Sequence, residues 1–129
     1  MKSFLYTVTT RKSFEAAVDA VEAKTVEKGF HVVHTYDVAA TLAAAGFSRG
    51  PLKIIEVCNA RFADEALKRD VNVALMLPCP IVVYTEGENT FISTMRPSAM
   101  AEFSPHSGLN GVASQVEAVV LGIINEARG

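Results

Sequence analysis

The feature that most constrains the fold is a pair of β-branched and apolar segments, residues 81–85 and 90–95, joined by the polar run Glu86-Gly87-Glu88-Asn89. Two such segments separated by a short turn that contains glycine are typical of a β-hairpin. A hairpin makes its two strands run antiparallel. The sequence therefore predicts a sheet with antiparallel pairing rather than a purely parallel sheet built from alternating strands and helices.

Helix starts are indicated by three side chains that can cap free backbone amides: Ser13, Asp37 and Asn59. Gly29 and Gly46 are placed to end the first two helices. The predicted strands are 4–9, 30–36, 52–58, 81–85 and 90–95. The predicted helices are 13–28, 38–45, 59–68, a short segment from 97 to about 103, and 112–127, with 104–111 as a loop.

Two prolines interrupt the chain just before the hairpin. Pro78 and Pro80 each fix their own φ and restrict the preceding residue, so Leu77 and Cys79 are expected to be extended. The pattern of residues 71–77 does not distinguish a helix from a strand. We expect the prolines to break regular structure here, so that the next strand begins at Ile81.

The predicted fold class is α+β, a two-layer α/β sandwich with helices packed on one face of a largely antiparallel sheet. The chain has 129 residues, half of them apolar, which suits a single domain over residues 1–129. The opposite sheet face then needs a partner or stays partly wet. Exposure of Tyr6, Tyr36 or Phe91 on that face would favour a homodimer.

Charge and hydropathy argue against two classes of partner. Twelve basic and 14 acidic residues give a net charge of -2, which argues against binding nucleic acid through its phosphates. The longest apolar stretch, 73–84, contains two prolines and is shorter than the roughly 20 residues of a membrane-spanning helix. The N-terminal residues show no export signal, so we expect a cytoplasmic protein with reduced cysteines.

Cys58 and Cys79 form the first candidate site. Cys58 ends one predicted strand and Cys79 precedes another, so antiparallel neighbouring strands would bring both thiols to one end of the sheet. Two converging thiols can bind a soft metal or take part in disulfide exchange. The 20 residues between them match no CxxC motif, and burial of both thiols as small hydrophobic groups is the structural alternative.

Glu56 shares its predicted strand face with Cys58. A carboxylate in an otherwise apolar strand is costly to bury unless it is paired or solvated. Glu56 could therefore act as a ligand or a general base, or it could pair at a solvent edge with Lys53 or Arg61.

His34 is the remaining candidate ligand. His31 and His34 are three residues apart on one predicted strand, so they are expected on opposite faces and cannot bind one metal together. Phe30, Val32, His34 and Tyr36 are expected to share a face. A hydrogen-bonded structural role for His34 and a functional role both stay open.

Several short motifs occur in a fixed order between residues 4 and 97: Thr35-Tyr36-Asp37, Ala40-Thr41-Leu42, Glu56-Val57-Cys58-Asn59, Ala66-Leu67, Leu77-Pro78-Cys79 and Val83-Tyr84. Together they resemble the domain-of-unknown-function 302 family. The resemblance implies a small two-layer α/β sandwich, often a homodimer, with no established activity. Both cysteines match motif positions, which strengthens them as a candidate site. The family usually has proline after its Cys-Asn pair, whereas this chain has Ala60-Arg61.

Three functions fit these residues. The first is a homodimeric binding or accessory module that holds a small ligand, haem or metal near Cys58, Cys79, Glu56 and His34. The second is a thiol-dependent oxidoreductase, because Asn59 as a helix cap would leave Cys58 near a helix N-terminus, where the dipole lowers a thiol pKa. The third is a protein-interaction domain without a ligand. The residues identify neither a cofactor nor a reaction.

Overall fold

The structure is a computed structural model that describes residues 3–129. No helix within those residues is both long and apolar enough to cross a membrane. The strands are β1 (Leu5–Thr10), β2 (His31–Asp37), β3 (Leu52–Cys58), β4 (Cys79–Glu86) and β5 (Asn89–Met95). The helices are α1 (Phe14–Glu27), α2 (Val38–Ala44), α3 (Ala60–Arg69), α4 (Ala99–Phe103) and α5 (Asn110–Arg128), with a 3-10 helix at Val71–Met76.

The five strands form one sheet in the order β1-β5-β4-β3-β2, and every neighbouring pair is antiparallel. The predicted α+β class is confirmed. The predicted hairpin is present but tighter than expected, since Glu86 pairs with Asn89 and only two residues form the turn. Gly87 has φ of +61°, a conformation that glycine adopts without steric cost at the first position of such a turn.

All three predicted caps are present. The side chain of Ser13 accepts a hydrogen bond from the backbone N–H of Ala16. Asp37 accepts one at the start of α2, and Asn59 accepts one from Phe62 at the start of α3. Each cap satisfies an amide that has no partner within its helix.

The core lies between the sheet and helices α1 and α5, which pack against each other across one sheet face. Val8, Ile55, Val83 and Ile92 point towards these helices and are buried. Burial of each such side chain stabilises the fold by about 1.5–3 kcal/mol. The helices contribute a matching set of buried residues: Ala17, Val18, Val21, Val112, Val116, Val120, Ile123 and Ile124.

A β-bulge in β2 overturns the predicted strand faces. The register pairs Val32 with Val57 and His34 with Glu56, so Val33 is an extra residue. Val32 therefore lies on the helix-covered face, and His34 lies on the other. The expectation that His31 and His34 occupy opposite faces is wrong, because the extra residue restores both to the same side.

We call the sheet face opposite α1 and α5 the open face. Tyr36 and Phe91 lie on it, as the sequence suggested, and the Phe91 ring stacks on Tyr84 with centroids 5.2 Å apart. The suggestion for Tyr6 is wrong. Tyr6 lies two positions before the buried Val8, and its hydroxyl donates a hydrogen bond to Asn125 of α5.

Strand β4 begins at Cys79, two residues earlier than predicted. Its ladder with β5 starts only at Ile81, so Pro80 lies beyond the end of that ladder, where its missing N–H removes no β4–β5 hydrogen bond. The carbonyl of Pro80 accepts a hydrogen bond of 2.7 Å from the Thr94 hydroxyl. Leu77 is extended, as the following proline predicted.

Candidate functional site

The two cysteines lie at the end of the sheet where β3 finishes and β4 begins. Val57 pairs directly with Cys79, so Cys58 is one residue beyond that pair. Both cysteines are unbridged, and both line a narrow cavity of about 10 Å³. This volume is no more than one water molecule needs, so the space that the two thiols share holds neither a porphyrin nor an organic ligand. Side chains of the core close it, among them Phe30, Phe62, Val112 and Val116.

Both thiols are disfavoured as thiolates. Burial, together with a smaller effect of the nearby Cys58, raises the pKa of Cys79 to about 11. Burial also raises the pKa of Cys58, although hydrogen bonding from the Asn59 backbone opposes part of this effect. The predicted lowering of the Cys58 pKa by the N-terminus of α3 is therefore wrong in sign, because desolvation outweighs it.

Cys79 also lines a larger cavity of about 300 Å³, and Glu56 lines the same cavity. A neighbouring cavity of about 480 Å³ shares three of its walls, Leu75, Met76 and Met95. We call the two together the methionine groove. The first cavity is lined by Glu56, Leu75, Met76, Leu77, Pro78, Cys79, Pro80, Met95, Pro97 and Met100, and the second by Phe4, Leu75, Met76, Met95, Ala99, Glu102 and Phe103.

Glu56 lies opposite His34 on the neighbouring strand, and Nδ1 of His34 is 3.2 Å from Oε1 of Glu56. The side chain of Glu56 is about one-third exposed, and that of His34 is mostly exposed. The His34 ring faces that of Tyr36, with centroids 6.4 Å apart. His34 thus orients the carboxylate of Glu56, which lines the cavity beside Cys79.

The four residues proposed from the sequence occupy two adjoining places. Cys58 and Cys79 share the narrow cavity, whereas Glu56 lines the larger cavity with Cys79 and is contacted by His34 from the open face. Within residues 3–129, no three histidine, cysteine or acidic side chains are grouped closely enough to hold a metal ion.

Sequence reasoning missed the methionines. Met76, Met95 and Met100 come from the 3-10 helix, β5 and α4, yet all three line the cavity beside Cys79. They are three of the four methionines in the chain. Methionine fills irregular gaps and lines adaptable binding surfaces. No spacing rule signals such a set, because its members meet only through the tertiary fold.

An aspartate holds the 3-10 helix that forms one wall of the groove. Asp70 caps this helix through the N–H of Asn72 and accepts hydrogen bonds from the hydroxyls of Ser104 and Ser107, the latter at 2.9 Å. Donation from Ser104, then Asn72 and Ser107, lowers the pKa of Asp70. The carboxylate thereby links the 3-10 helix to the loop after α4.

The comparisons with known proteins concern almost the whole chain. The family model described as "Domain of unknown function DUF302" matches residues 6–127. Among solved structures, the chain is similar to the crystal structure of an uncharacterized conserved DUF302 protein from Bacillus stearothermophilus, with a TM-score of 0.92 and 26% identity. That match covers 98% of this chain and 100% of the other. No curated protein matches. The chain belongs to the DUF302 family.

Proposed function

We propose that this protein is a binding or accessory module for a small ligand, that it acts as a homodimer in the cytoplasm, and that the ligand occupies the methionine groove beside Cys79. In this proposal Cys79 and Glu56 contact the ligand. His34 orients Glu56, and Cys58 packs behind Cys79.

The observation that supports the proposal is the cavity of about 300 Å³ between the 3-10 helix, α4 and the end of the sheet. Among residues 3–129, the residues that form its walls are mainly apolar, and Glu56 is the charged one. Small-molecule sites typically have a volume of about 300–1,000 Å³, mostly apolar walls and a few polar groups that fix orientation. The narrow cavity between the thiols lacks this space, which favours the groove over the thiol pair as the place of binding.

Other functions have less support. A thiol-dependent oxidoreductase needs a cysteine with a lowered pKa, and burial raises the pKa of both Cys58 and Cys79. A soft metal would have to use Cys79 with thioether sulfurs, since no cluster of three histidine, cysteine or acidic side chains exists within the described residues. A haem would have to lie in the groove rather than between the cysteines.

The test uses N-phenyl-1-naphthylamine, a neutral apolar dye whose fluorescence rises in apolar sites. We expect the dye to bind the native protein and Leu75→Asn to weaken binding about tenfold, because Leu75 lines both cavities of the groove. Val71→Asn is the matched control, since Val71 is equally exposed on the same 3-10 helix and lines neither cavity. Absence of dye binding, or equal loss in both variants, would contradict the proposal.

The open face supports the homodimer part of the proposal. Leu5, Met95 and Tyr36 lie on this face and are 72%, 50% and 37% exposed. The Tyr84 and Phe91 rings extend the apolar surface between the two edge strands. Apolar sheet faces of this kind are normally covered by protein, and a second copy would cover it with an identical surface.

Sedimentation or light scattering at about 100 μM tests the dimer, because a standard interface is populated well below that concentration. We expect the mass of two chains for the native protein and for Val26→Lys. Tyr36→Lys should give the mass of one chain. Val26 is the control because it is also exposed but lies on α1, away from the open face. A native protein with the mass of one chain would contradict this part of the proposal.

A further inference from the structure

We infer that the ligand of the methionine groove is a small organic cation with an apolar body, such as an arylalkyl ammonium. This inference rests on the proposed function and adds the chemical class of the ligand. Its basis is the sign of the charge that the groove presents.

Of the described residues that line the cavity beside Cys79, Glu56 is the charged one, and it is acidic. Among residues 3–129, no lysine or arginine lines either cavity. A carboxylate within apolar walls interacts with a cation more strongly than it does in water, because the local dielectric constant is lower.

The nearest arginine along the chain is directed elsewhere. Arg96 lies between Met95 and Pro97, which both line the cavity, but its guanidinium sits 5.1 Å from the centre of the Tyr6 ring. Its Nη1 is also 3.6 Å from Oε2 of Glu117. Arg96 is therefore held on the helix-covered side and does not neutralise Glu56.

Glu56 can accept a further donor. Its Oε1 is contacted by His34, while an ionised carboxylate has about four acceptor sites on its two oxygens. An ammonium group in the cavity can thus donate to Glu56 while its apolar body contacts Met76, Met95 and Met100. The thioether sulfurs are polarisable and adapt to irregular shapes, which suits an apolar body of variable form. A bare metal ion would leave most of the 300 Å³ unfilled.

Three compounds that carry a phenyl ring on a four-carbon chain provide the test: 4-phenylbutylamine, 4-phenylbutanol and 4-phenylbutyrate. Calorimetry at neutral pH and low salt should show the amine binding about tenfold more tightly than the alcohol, because only the ammonium adds attraction between opposite charges to the shared apolar contact. The butyrate should bind most weakly.

Glu56→Gln should lower the affinity of the amine to near that of the alcohol, and it should weaken the binding of the alcohol much less. Glu88→Gln is the control, because it makes the same charge change in the exposed β4–β5 turn.

Equal affinities of amine and alcohol for the native protein would overturn the inference and leave the proposed function standing. Tightest binding of the butyrate would overturn it as well. Ag(I) provides a further outcome. If Ag(I) binds stoichiometrically, blocks binding of the amine and no longer binds to Met100→Leu, the ligand is a soft metal ion and not an organic cation. If none of the three compounds binds and the neutral dye also fails, the proposed function fails too.

Discussion

His34 and Glu56 face each other across β2 and β3, with Nδ1 of His34 3.2 Å from Oε1 of Glu56, only because Val33 bulges out of the ladder. Without an extra residue, the alternation of side chains that begins at His31 would place His34 on the helix-covered face. The bulge thus positions the groove carboxylate through its partner. Bulges often re-aim a side chain next to a functional site.

The first prediction follows from this register. Deletion of Val33 should produce a regular ladder in which His34 stays opposite Glu56. His31 and Val32 should keep their own partners, Cys58 and Val57. Val33 is half exposed, so we expect the free energy of unfolding in urea to change by no more than about 1 kcal/mol.

Deletion of Thr35 is the matched control for the bulge. It also removes one residue from β2, but it moves His34 into the place of Thr35 opposite the buried Ile55. Burying an imidazole there and losing the hydrogen bond of Thr35 to Glu22 should cost more than about 2 kcal/mol. Equal losses from the two deletions would show that the bulge does not set the register.

The sequence predicts features that depend on local chemistry. Ser13, Asp37 and Asn59 cap their helices because a side-chain oxygen reaches an amide within the same turn. The hairpin follows from β-branched segments around a glycine turn. The bulge at Val33 and the convergence of the methionines depend instead on the register and packing of distant elements, which strand alternation and helix periodicity do not encode.

The second prediction concerns the relative reactivity of the two thiols. Iodoacetamide reacts with the thiolate, and burial raises the pKa of both thiols, that of Cys79 to about 11. Cys79 is buried, whereas Cys58 is only partly buried. At about pH 8, near the pKa of roughly 8.5 of a free cysteine, we expect Cys58 to be alkylated first and both to react more slowly than in urea. Mass spectrometry of the two cysteine peptides measures the rates. Faster alkylation of Cys79 in the folded protein would contradict the burial of that thiol.

The third prediction concerns stability in acid. Hydrogen bonds from Ser104, Asn72 and Ser107 lower the pKa of Asp70 in the folded protein. A carboxyl group with a lowered folded pKa adds stability above its unfolded pKa of about 3.9 and loses that contribution as the pH falls through the folded value. Asp70→Asn should therefore be less stable than the native protein at pH 7, and the difference should shrink in acid.

Urea unfolding followed by circular dichroism at pH 7 and at progressively lower pH measures this effect. Asp19→Asn is the control, because Asp19 is an exposed aspartate of α1 at a distance from this network. A constant difference between Asp70→Asn and the native protein at every pH would show that the carboxylate charge is not what links the 3-10 helix to the Ser104 loop.

The fourth prediction uses two adjacent isoleucines that point to opposite faces of β3. Ile55 is fully buried beneath the helices, whereas Ile54 lies on the open face. Ile55→Ala should lower the free energy of unfolding by about 2–5 kcal/mol at any protein concentration, because it creates a cavity within one chain.

A dimer formed through the open face makes the unfolding midpoint of the native protein rise with protein concentration. Ile54→Ala should weaken that rise, and Ile55→Ala should preserve it while shifting every midpoint downward. Thermal unfolding between about 1 and about 100 μM compares the three proteins over the range in which a standard interface dissociates. A native midpoint that is independent of concentration would contradict the dimer, and an equal concentration dependence in Ile54→Ala would place its interface elsewhere.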